Sequence, residues 1–128
     1  MFERIAIRYL RSWATKEERK PLVLRGARQV GKTTLVELFA KDFDTYIYLN
    51  LEERENAELF AADYSFEDLL AGIYFKANKQ QDANKRTLIF IDEIQAYPHL
   101  LTLLKFLSQD NKFTYIASGS LLGVIMFF

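Results

Sequence analysis

The sequence predicts an α/β fold built on a mainly parallel β-sheet, and three short apolar runs predict it. The runs, at residues 21–24, 88–91 and 113–117, have the composition of buried parallel strands. They lead, in order, into a glycine-rich loop, an acidic pair and a Ser-Gly-Ser segment. Because ligands of open α/β sheets bind at the carboxyl edge of the strands, these segments predict a ligand site at that edge.

The first predicted element is an amphipathic helix over Glu3 to Thr15, followed by a charged link over Lys16 to Lys20. Its apolar face is expected to carry Ile5, Tyr9 and Trp13. Three arginines recur at the spacing of a solvated helix face: Arg4, Arg8 and Arg11. The first strand follows at Pro21 to Leu24.

That strand leads into the most informative motif of the chain. Residues 26–33 read GARQVGKT and fit the phosphate-loop pattern G-x-x-x-x-G-K-[ST]. Glycine permits a tight turn whose backbone N–H groups point at an anion, and the dipole of the next helix adds to the attraction. Lys32 supplies a charge for the β- and γ-phosphates, and the Thr33 hydroxyl suits Mg²⁺. The predicted nucleotide-binding residues are Gly26, Ala27, Arg28, Gln29, Val30, Gly31, Lys32, Thr33 and Thr34.

Between the loop and the acidic pair, the pattern predicts a helix over residues 32–41 and a strand over 46–51. An acidic stretch follows around Glu52, Glu53 and Glu55. Ser65 is placed to cap a second helix, whose first turn is acidic. The tyrosines at 46 and 48 and the aromatic residues at 74, 75, 113 and 115 are expected to fill core and strand positions.

The acidic pair Asp92-Glu93 ends the apolar run at 88–91. Asp92 is predicted to hold Mg²⁺ through water, because this small ion keeps part of its hydration shell. Glu93 is placed to orient and deprotonate the water that attacks the γ-phosphorus. Taken alone, such a pair is equally consistent with a strand that ends in solvated acids. For Gln95 two roles are left open: it forms a hydrogen bond near the attacking water, or it satisfies the loop that follows the strand.

Ser118 and Ser120 follow the last predicted strand, after a helix expected from Pro98 to about Gln109. One of the two hydroxyls is a candidate sensor of the γ-phosphate. The alternative is a Ser-Gly-Ser turn that caps the next segment. Local sequence does not decide between them.

The segments GARQVGKTT, LIFIDEIQ and SGSLLGV together resemble AAA-type ATP-binding proteins that join an N-terminal AAA domain to a C-terminal domain of unknown function. These belong to the additional-strand class of P-loop NTPases, and the resemblance spans about Phe2 to Val124. It implies a three-layer sandwich with the sensor strand between the Walker A and Walker B strands, and ATP and Mg²⁺ as cofactors. The Walker A pair would be Lys32 and Thr33, the Walker B pair Asp92 and Glu93, and the sensor Ser118, with Ser120 as the alternative.

The chain departs from that family in length. We expect an N-terminal helix and link over 1–20, a partial P-loop core over 21–124 and a truncated end over 125–128, with the last core strand missing. The family's C-terminal domain and later arginines would then be absent, which leaves turnover open. Leu121 to Phe128 would either fold back over the edge of the Walker A strand or add apolar surface. We expect the chain to self-associate.

Composition sets further bounds. The 128 residues are 50% hydrophobic and 27% charged, which is typical of one soluble globular domain. No apolar run has the length of a membrane span and no signal peptide opens the chain, so we expect a cytoplasmic protein with no membrane partner. Residues 1–32 carry nine Lys or Arg against three acids, and residues 33–70 carry two against ten. Because much of the basic charge is assigned to phosphate or to a solvated helix face, we do not expect nucleic-acid binding.

The sequence therefore predicts a Mg-ATP-dependent ATPase domain in which Glu93, Lys32 and Ser118 carry the catalytic roles and Thr33 and Asp92 hold the metal. One alternative is a P-loop kinase, which shares the phosphate loop but transfers the phosphoryl group to a bound acceptor. Asp92-Glu93 argues against a kinase, because a water-activating carboxylate promotes hydrolysis. The other alternative is a nucleotide-binding module without turnover.

Overall fold

The computed structural model describes residues 2–15, 22–25, 32–61, 63–82, 84–94, 113–119 and 125–127. The link at 16–20, the phosphate loop at 26–31, Gln95, the helix expected at 98–109 and Ser120 lie outside the described residues. The elements in chain order are α1 (Phe2–Ala14), β1 (Leu22–Arg25), α2 (Lys32–Ala40), β2 (Thr45–Asn50), α3 (Arg54–Ala61), α4 (Phe66–Ala77), β3 (Thr87–Asp92), β4 (Thr114–Gly119) and β5 (Ile125–Phe127).

The sheet has the strand order β2-β3-β4-β1-β5. Strands β2, β3, β4 and β1 run parallel, with Ile91 opposite Ala117 and Leu24 opposite Ser118. Strand β4 therefore lies between β1 and β3, which is the position that the resemblance implied for the sensor strand. The predicted α/β fold with a mainly parallel sheet is confirmed.

The outer edge of β1 is paired with β5. In an antiparallel register, Leu22 lies opposite Phe127 and Leu24 opposite Ile125. The sequence predicted that residues 121–128 either fold back over the edge of β1 or add apolar surface. The described residues of this segment, Ile125–Phe127, fold back along β1. A short antiparallel strand thus occupies the place beside β1 where a missing core strand was expected. Its hydrogen bonds satisfy backbone groups that an open edge would expose.

Two apolar layers enclose the sheet. Ile47 and Ile89 face one layer, where they pack with buried side chains of α3 and α4. Leu88 and Phe90 face the other layer, with buried side chains of α1 and α2. Since alternate residues of a strand point to opposite faces, β3 is covered on both sides and all six of its residues are buried. The result is a three-layer arrangement with β3 well inside it.

Helix α1 forms where the pattern predicted it, but two of the three residues predicted on its apolar face are exposed. Ile5 is 62% exposed and Tyr9 is 42% exposed, whereas Leu10 and Trp13 are buried at 1% and 4%. Leu10 and Trp13 are three residues apart and pack with Ala6 against α2 and the sheet. The helix is rotated relative to the prediction, because Leu10 joins the core in place of Tyr9.

The segment between β2 and α4 also differs from expectation. Helix α3 occupies Arg54–Ala61, in the acidic stretch for which the sequence predicted no element. Buried Asn56 anchors it: its side-chain amide donates to the Asn50 carbonyl at 2.9 Å and to the Glu53 carboxylate at 3.1 Å. Phe75, expected in the core, is 88% exposed on the outer side of α4.

Helix α4 has a defined cap at each end. The Ser65 hydroxyl accepts a hydrogen bond from the Asp68 N–H at 3.1 Å, as the sequence predicted. Asn78 ends the helix in the left-handed conformation at φ 57°, where its N–H bonds the last carbonyls. In the described part of the chain, no helix combines the length and apolar character needed to cross a membrane.

We expect Ser65→Ala to lower the free energy of unfolding by about 1 kcal/mol, because the Asp68 N–H loses its partner. Ser12→Ala is the matched control. Ser12 is also exposed, but it lies inside α1, and its substitution should change stability by less than about 0.5 kcal/mol. Urea unfolding of both variants measures the difference. Equal losses would show that the Ser65 hydroxyl does not act as a cap.

Candidate functional site

The candidate site lies at the carboxyl edge of the sheet, where β3 and β4 end side by side. Asp92 is the last residue of β3, and Ser118 is the penultimate residue of β4. The sequence predicted that β4 would end before Ser118, but the strand runs through Gly119. By alternation, Asp92 and Ser118 share the face of Phe90 and Ile116, which is the face covered by α1 and α2.

The Asp92 carboxylate accepts three hydrogen bonds from its surroundings. The Ser118 hydroxyl donates to Oδ1 at 2.5 Å, and the Glu93 N–H donates to the same oxygen at 2.8 Å. The Tyr48 hydroxyl donates to Oδ2 at 2.7 Å. Asp92 is only 8% exposed and Ser118 is fully buried. These donors compensate for the lost hydration of the buried carboxylate.

Glu93 has an unusual backbone conformation. Its φ of 59° lies in the left-handed region, which costs a residue other than glycine about 1–3 kcal/mol. Its N–H is held by Asp92 Oδ1, and the residue is 6% exposed. A buried glutamate in this conformation, directly after a strand, indicates a functional constraint, because glycine would satisfy the turn without strain.

Tyr48 is a site residue that sequence reasoning missed. It is 42% exposed, and its ring packs against Phe90 with the ring centres 5.5 Å apart. Burial of the phenol raises the pKa of Tyr48, and the hydrogen bond to Asp92 raises it further, so that the hydroxyl stays protonated as a donor. Its role depends on the pairing of Tyr48 with Phe90 across β2 and β3, and the sequence alone does not specify that register.

Tyr46, two residues earlier on the same strand face, has a different environment. Its hydroxyl is buried and has no hydrogen-bond partner among the described residues. Burial raises the pKa of Tyr46, with further contributions from the charges of Glu37 and Asp92. The two tyrosines therefore form a natural pair for comparison: the Tyr48 hydroxyl donates to Asp92, and the Tyr46 hydroxyl has no partner among the described residues.

The remaining predicted site residues belong to the phosphate loop and the start of α2. Residues 26–31 lie outside the described part of the chain, and Lys32 is the first residue of α2. Thr33 and Thr34 are exposed in the first turn of α2. The structure thus brings Asp92, Glu93 and Ser118 together, while no described hydrogen bond joins Thr33 to them.

The carboxylate oxygens of Asp92 are suited to binding a hydrated Mg²⁺ ion. A carboxylate offers roughly four acceptor positions, and three are used here, which leaves capacity on Oδ2 for a metal-bound water. Among the described residues there is no group of three or more His, Cys, Asp or Glu that could hold a metal by itself. Mg²⁺ does not require one, since it commonly uses one or two carboxylates together with phosphate and water.

Comparisons with known proteins bear on the family and on the fold. The family model described as "AAA domain" matches residues 18–126. No curated protein matches the sequence significantly. The solved structure of C. elegans PCH-2 is similar over 93% of this chain, with a TM-score of 0.52 and 14% sequence identity. The similarity shows a shared fold, and this chain corresponds to 34% of the length of that one.

We expect Tyr48→Phe to lower the free energy of unfolding by about 1–2 kcal/mol, because Asp92 loses a donor to a charged acceptor at a partly exposed position. Tyr46→Phe should be neutral or stabilising, since it removes a buried hydroxyl that has no partner. Chemical denaturation of the two variants makes the comparison. If Tyr46→Phe were the more damaging change, Tyr48 would not be the residue that holds Asp92.

Proposed function

Because the chain belongs to the AAA domain family, we propose that it binds ATP with Mg²⁺ and hydrolyses it at the edge of the sheet formed by β1, β4 and β3. Family membership makes it a nucleotide-binding domain of the ATPase type. The nucleotide, the metal and the residue roles are our proposal. Since ATP is its proposed cofactor, we also propose a cytoplasmic location.

The observation that carries the proposal is the buried hydrogen bond between Ser118 and Asp92. Strand β1, which leads into the phosphate loop, pairs directly with β4, so that Leu24 lies opposite Ser118. Strand β1 therefore ends next to the Ser118–Asp92 pair. The carboxylate, the hydroxyl and the end of the strand that precedes the phosphate-loop motif lie at one edge of a parallel sheet, where open α/β folds bind their ligands.

Residues 26–34 would bind the triphosphate. The backbone N–H groups of the loop and the positive end of α2 would attract the phosphates, and Lys32 would add a mobile charge. Thr33 would place its hydroxyl on the metal. This part of the proposal rests on the complete sequence motif and on helix α2 beginning at Lys32.

Asp92 would accept a hydrogen bond from a water of the metal ion. Its carboxylate is already oriented by Tyr48, Ser118 and the Glu93 N–H. An acceptor fixed in advance does not have to reorganise when the charged ligand arrives, which favours binding and charge stabilisation. When bound, Mg²⁺ would neutralise charge on the β- and γ-phosphates.

Glu93 would orient and deprotonate the attacking water, as a carboxylate next to the metal ligand can. Ser118 would sense the γ-phosphate. A serine hydroxyl has one proton to donate, so Ser118 has to release Asp92 Oδ1 in order to donate to phosphate. In this proposal Ser118 senses the γ-phosphate by exchanging one hydrogen-bond acceptor, Asp92 Oδ1, for another, the phosphate.

The alternatives differ from hydrolysis at identifiable residues. A P-loop kinase would require a bound acceptor, whereas Glu93 follows the metal-binding carboxylate directly, where it serves water attack. A binding module without turnover would retain the phosphate loop and Asp92 but would not use Glu93 as a base. Substitutions at Lys32 and Glu93 therefore separate binding from chemistry.

Mg-ATP should raise the thermal stability of the chain. At about one hundred times its dissociation constant, a ligand adds about 2.7 kcal/mol of apparent stability. Lys32→Ala should remove most of this effect, whereas Lys79→Ala, an exposed lysine after α4, should keep it. Thermal melts with and without Mg-ATP measure the shift. An absent shift in the wild type, or one that Lys32→Ala retains in full, would rule out the proposed phosphate site.

Glu93→Gln should retain Mg-ATP affinity and lower the rate of hydrolysis by about a hundredfold or more, because Gln keeps the shape of Glu but is not a base. Phosphate release, measured beside the melting shift, separates the two effects. Wild-type hydrolysis by Glu93→Gln would show that another group activates the water. A wild-type chain that binds Mg-ATP without releasing phosphate would support the binding module.

A further inference from the structure

An open groove of about 390 Å³ lies between α1 and the end of α2. Four of its lining side chains are cationic and the other two are aliphatic, and none of these described residues carries a carboxylate. They are Arg4, Ile7, Arg8, Arg11, Leu38 and Lys41. The groove therefore suits an anionic occupant.

Most of the positive charge in this groove is not neutralised by the described part of the chain. The side chains of Arg4, Arg8 and Lys41 form no ion pair or hydrogen bond with the described residues. Arg11 differs, because the Asp42 carboxylate binds it at two points, at 2.7 and 3.2 Å. Among the described residues, the groove thus offers three unpaired cations and one that a carboxylate already occupies.

The three arginines of the groove form a row along α1. Arg4, Arg8 and Arg11 recur at intervals of four and three residues, so they lie on one side of the helix over about 10.5 Å of its length. One strand of a DNA duplex advances about 3.4 Å per phosphate, so about three phosphates span the same length. The row therefore matches the spacing of charge along a nucleic-acid backbone.

The groove is separate from the candidate ATP site. Helix α2 begins at Lys32, after β1 has reached the carboxyl edge of the sheet, and its far end leads into β2. Leu38 and Lys41 belong to that far end, so they lie near the amino edge of the parallel strands. An occupant of the groove would leave the phosphate-binding edge free.

The acid-rich helices lie on the other side of the sheet from the groove. Helices α1 and α2 cover one face, and α3 and α4 cover the opposite face. The exposed acids of α3 and α4 are Glu55, Glu58, Glu67 and Asp68. On the groove side, Glu37 lies close enough to Tyr46 of β2 to raise its pKa, and it does not line the groove. Although the formal net charge of the chain is zero, a polyanion can therefore approach the groove without meeting most of the acids.

We propose that this groove binds the phosphate backbone of duplex DNA. Arg4 and Arg8 would contact successive phosphates of one strand, and Lys41 would contact the backbone from the side of α2. Ile7 and Leu38 are half-buried, and they can support the aliphatic stems of the cationic side chains. Neither of them carries a group that reads a base edge. Binding would therefore be independent of the base sequence.

The proposal departs from the sequence-based expectation for a physical reason. The sequence predicted no nucleic-acid binding because it assigned Arg4, Arg8 and Arg11 to a solvated helix face. In the structure these side chains line a groove together with Lys41, a residue of a different helical segment. The proposal rests on this convergence of unpaired cations from two segments of the chain.

Duplex DNA fits this groove better than a single strand or an acidic peptide does. Single-strand binding uses aromatic side chains on which bases stack, and none of the described lining residues is aromatic. Tyr9 is exposed on α1, but it does not line the groove. An extended peptide presents at most one charge per about 3.4 Å, whereas a duplex presents one per about 1.7 Å of its axis. A purely cationic groove therefore attracts the duplex more strongly.

Fluorescence anisotropy of a labelled DNA duplex, measured at several salt concentrations from low salt upward, tests the contact. Each neutralised phosphate contributes about 0.9 to the fall of log K with log salt, so three unpaired cations predict a slope of about −2.7. The double variant Arg4→Ala, Arg8→Ala should reduce the slope to about −0.9 and weaken binding to every duplex sequence alike. Arg54→Ala, which removes an exposed arginine of α3, is the matched control and should change neither quantity.

Asp42→Asn tests the same groove through a gain of binding. The substitution releases Arg11, whose guanidinium can then contact a fourth phosphate. The slope should steepen to about −3.6, and the affinity for the duplex should rise. Asp63→Asn, which neutralises an exposed acid outside the groove, is the control and should leave the slope unchanged. A gain of this kind cannot come from misfolding.

The proposal is overturned if the wild type does not bind the duplex at low salt, if the double variant keeps the wild-type slope, or if Asp42→Asn brings no gain. Tighter binding of a single strand of the same length would indicate base stacking and reject the duplex. Tighter binding of a polyglutamate peptide would assign the groove to an acidic protein and also reject it.

The DNA proposal does not depend on the proposed function, and one further measurement keeps the two apart. The thermal shift with Mg-ATP should be the same in the wild type and in the variants at Arg4, Arg8 and Asp42, because these residues lie away from the phosphate-binding edge. A chain that binds the duplex but shows no Mg-ATP shift would overturn the proposed function alone. The reverse result would overturn the DNA site alone.

Discussion

The structure depends on the hydrogen bonding of one buried carboxylate. Strand β3 is covered on both faces and ends in Asp92, which is removed from water and requires donors from the protein. The donors come from β2 on one side, from β4 on the other, and from the backbone of Glu93. The strand order brings the donors of β2 and β4 to Asp92, and the left-handed conformation of Glu93 accompanies the hydrogen bond from its N–H.

The sequence predicted the parts of the molecule that depend on local pattern or on the chemistry of a motif. The apolar runs gave β1, β3 and most of β4, and Ser65 gave the start of α4. The Asp92-Glu93 pair and Ser118 were assigned to one site from motif chemistry and a family resemblance, and the structure brings these residues together. Their roles, and those of Lys32 and Thr33, remain proposals.

The features that the sequence did not predict depend on contacts between distant segments. Tyr48 binds Asp92 only because β2 pairs with β3 in one particular register. Helix α1 buries Leu10 rather than Tyr9 because α2 and the sheet select the face that fits them. The exposure of Phe75 likewise depends on which face of α4 the core accepts, since a helical pattern rich in apolar residues does not define a single inward side.

The residues that meet at Asp92 are far apart in the sequence, and this has a consequence for folding. Tyr48 is 44 residues before Asp92, and Ser118 is 26 residues after it. Bringing such distant segments together costs conformational entropy before any stabilising contact forms. Parallel pairings of this kind therefore form slowly. A nascent chain that has completed β1 and its phosphate loop still lacks Asp92 and Ser118. The proposed metal-dependent chemistry would thus require that β4 has entered the sheet, and a chain folded only as far as β1 and α2 would present no complete site to nucleotide.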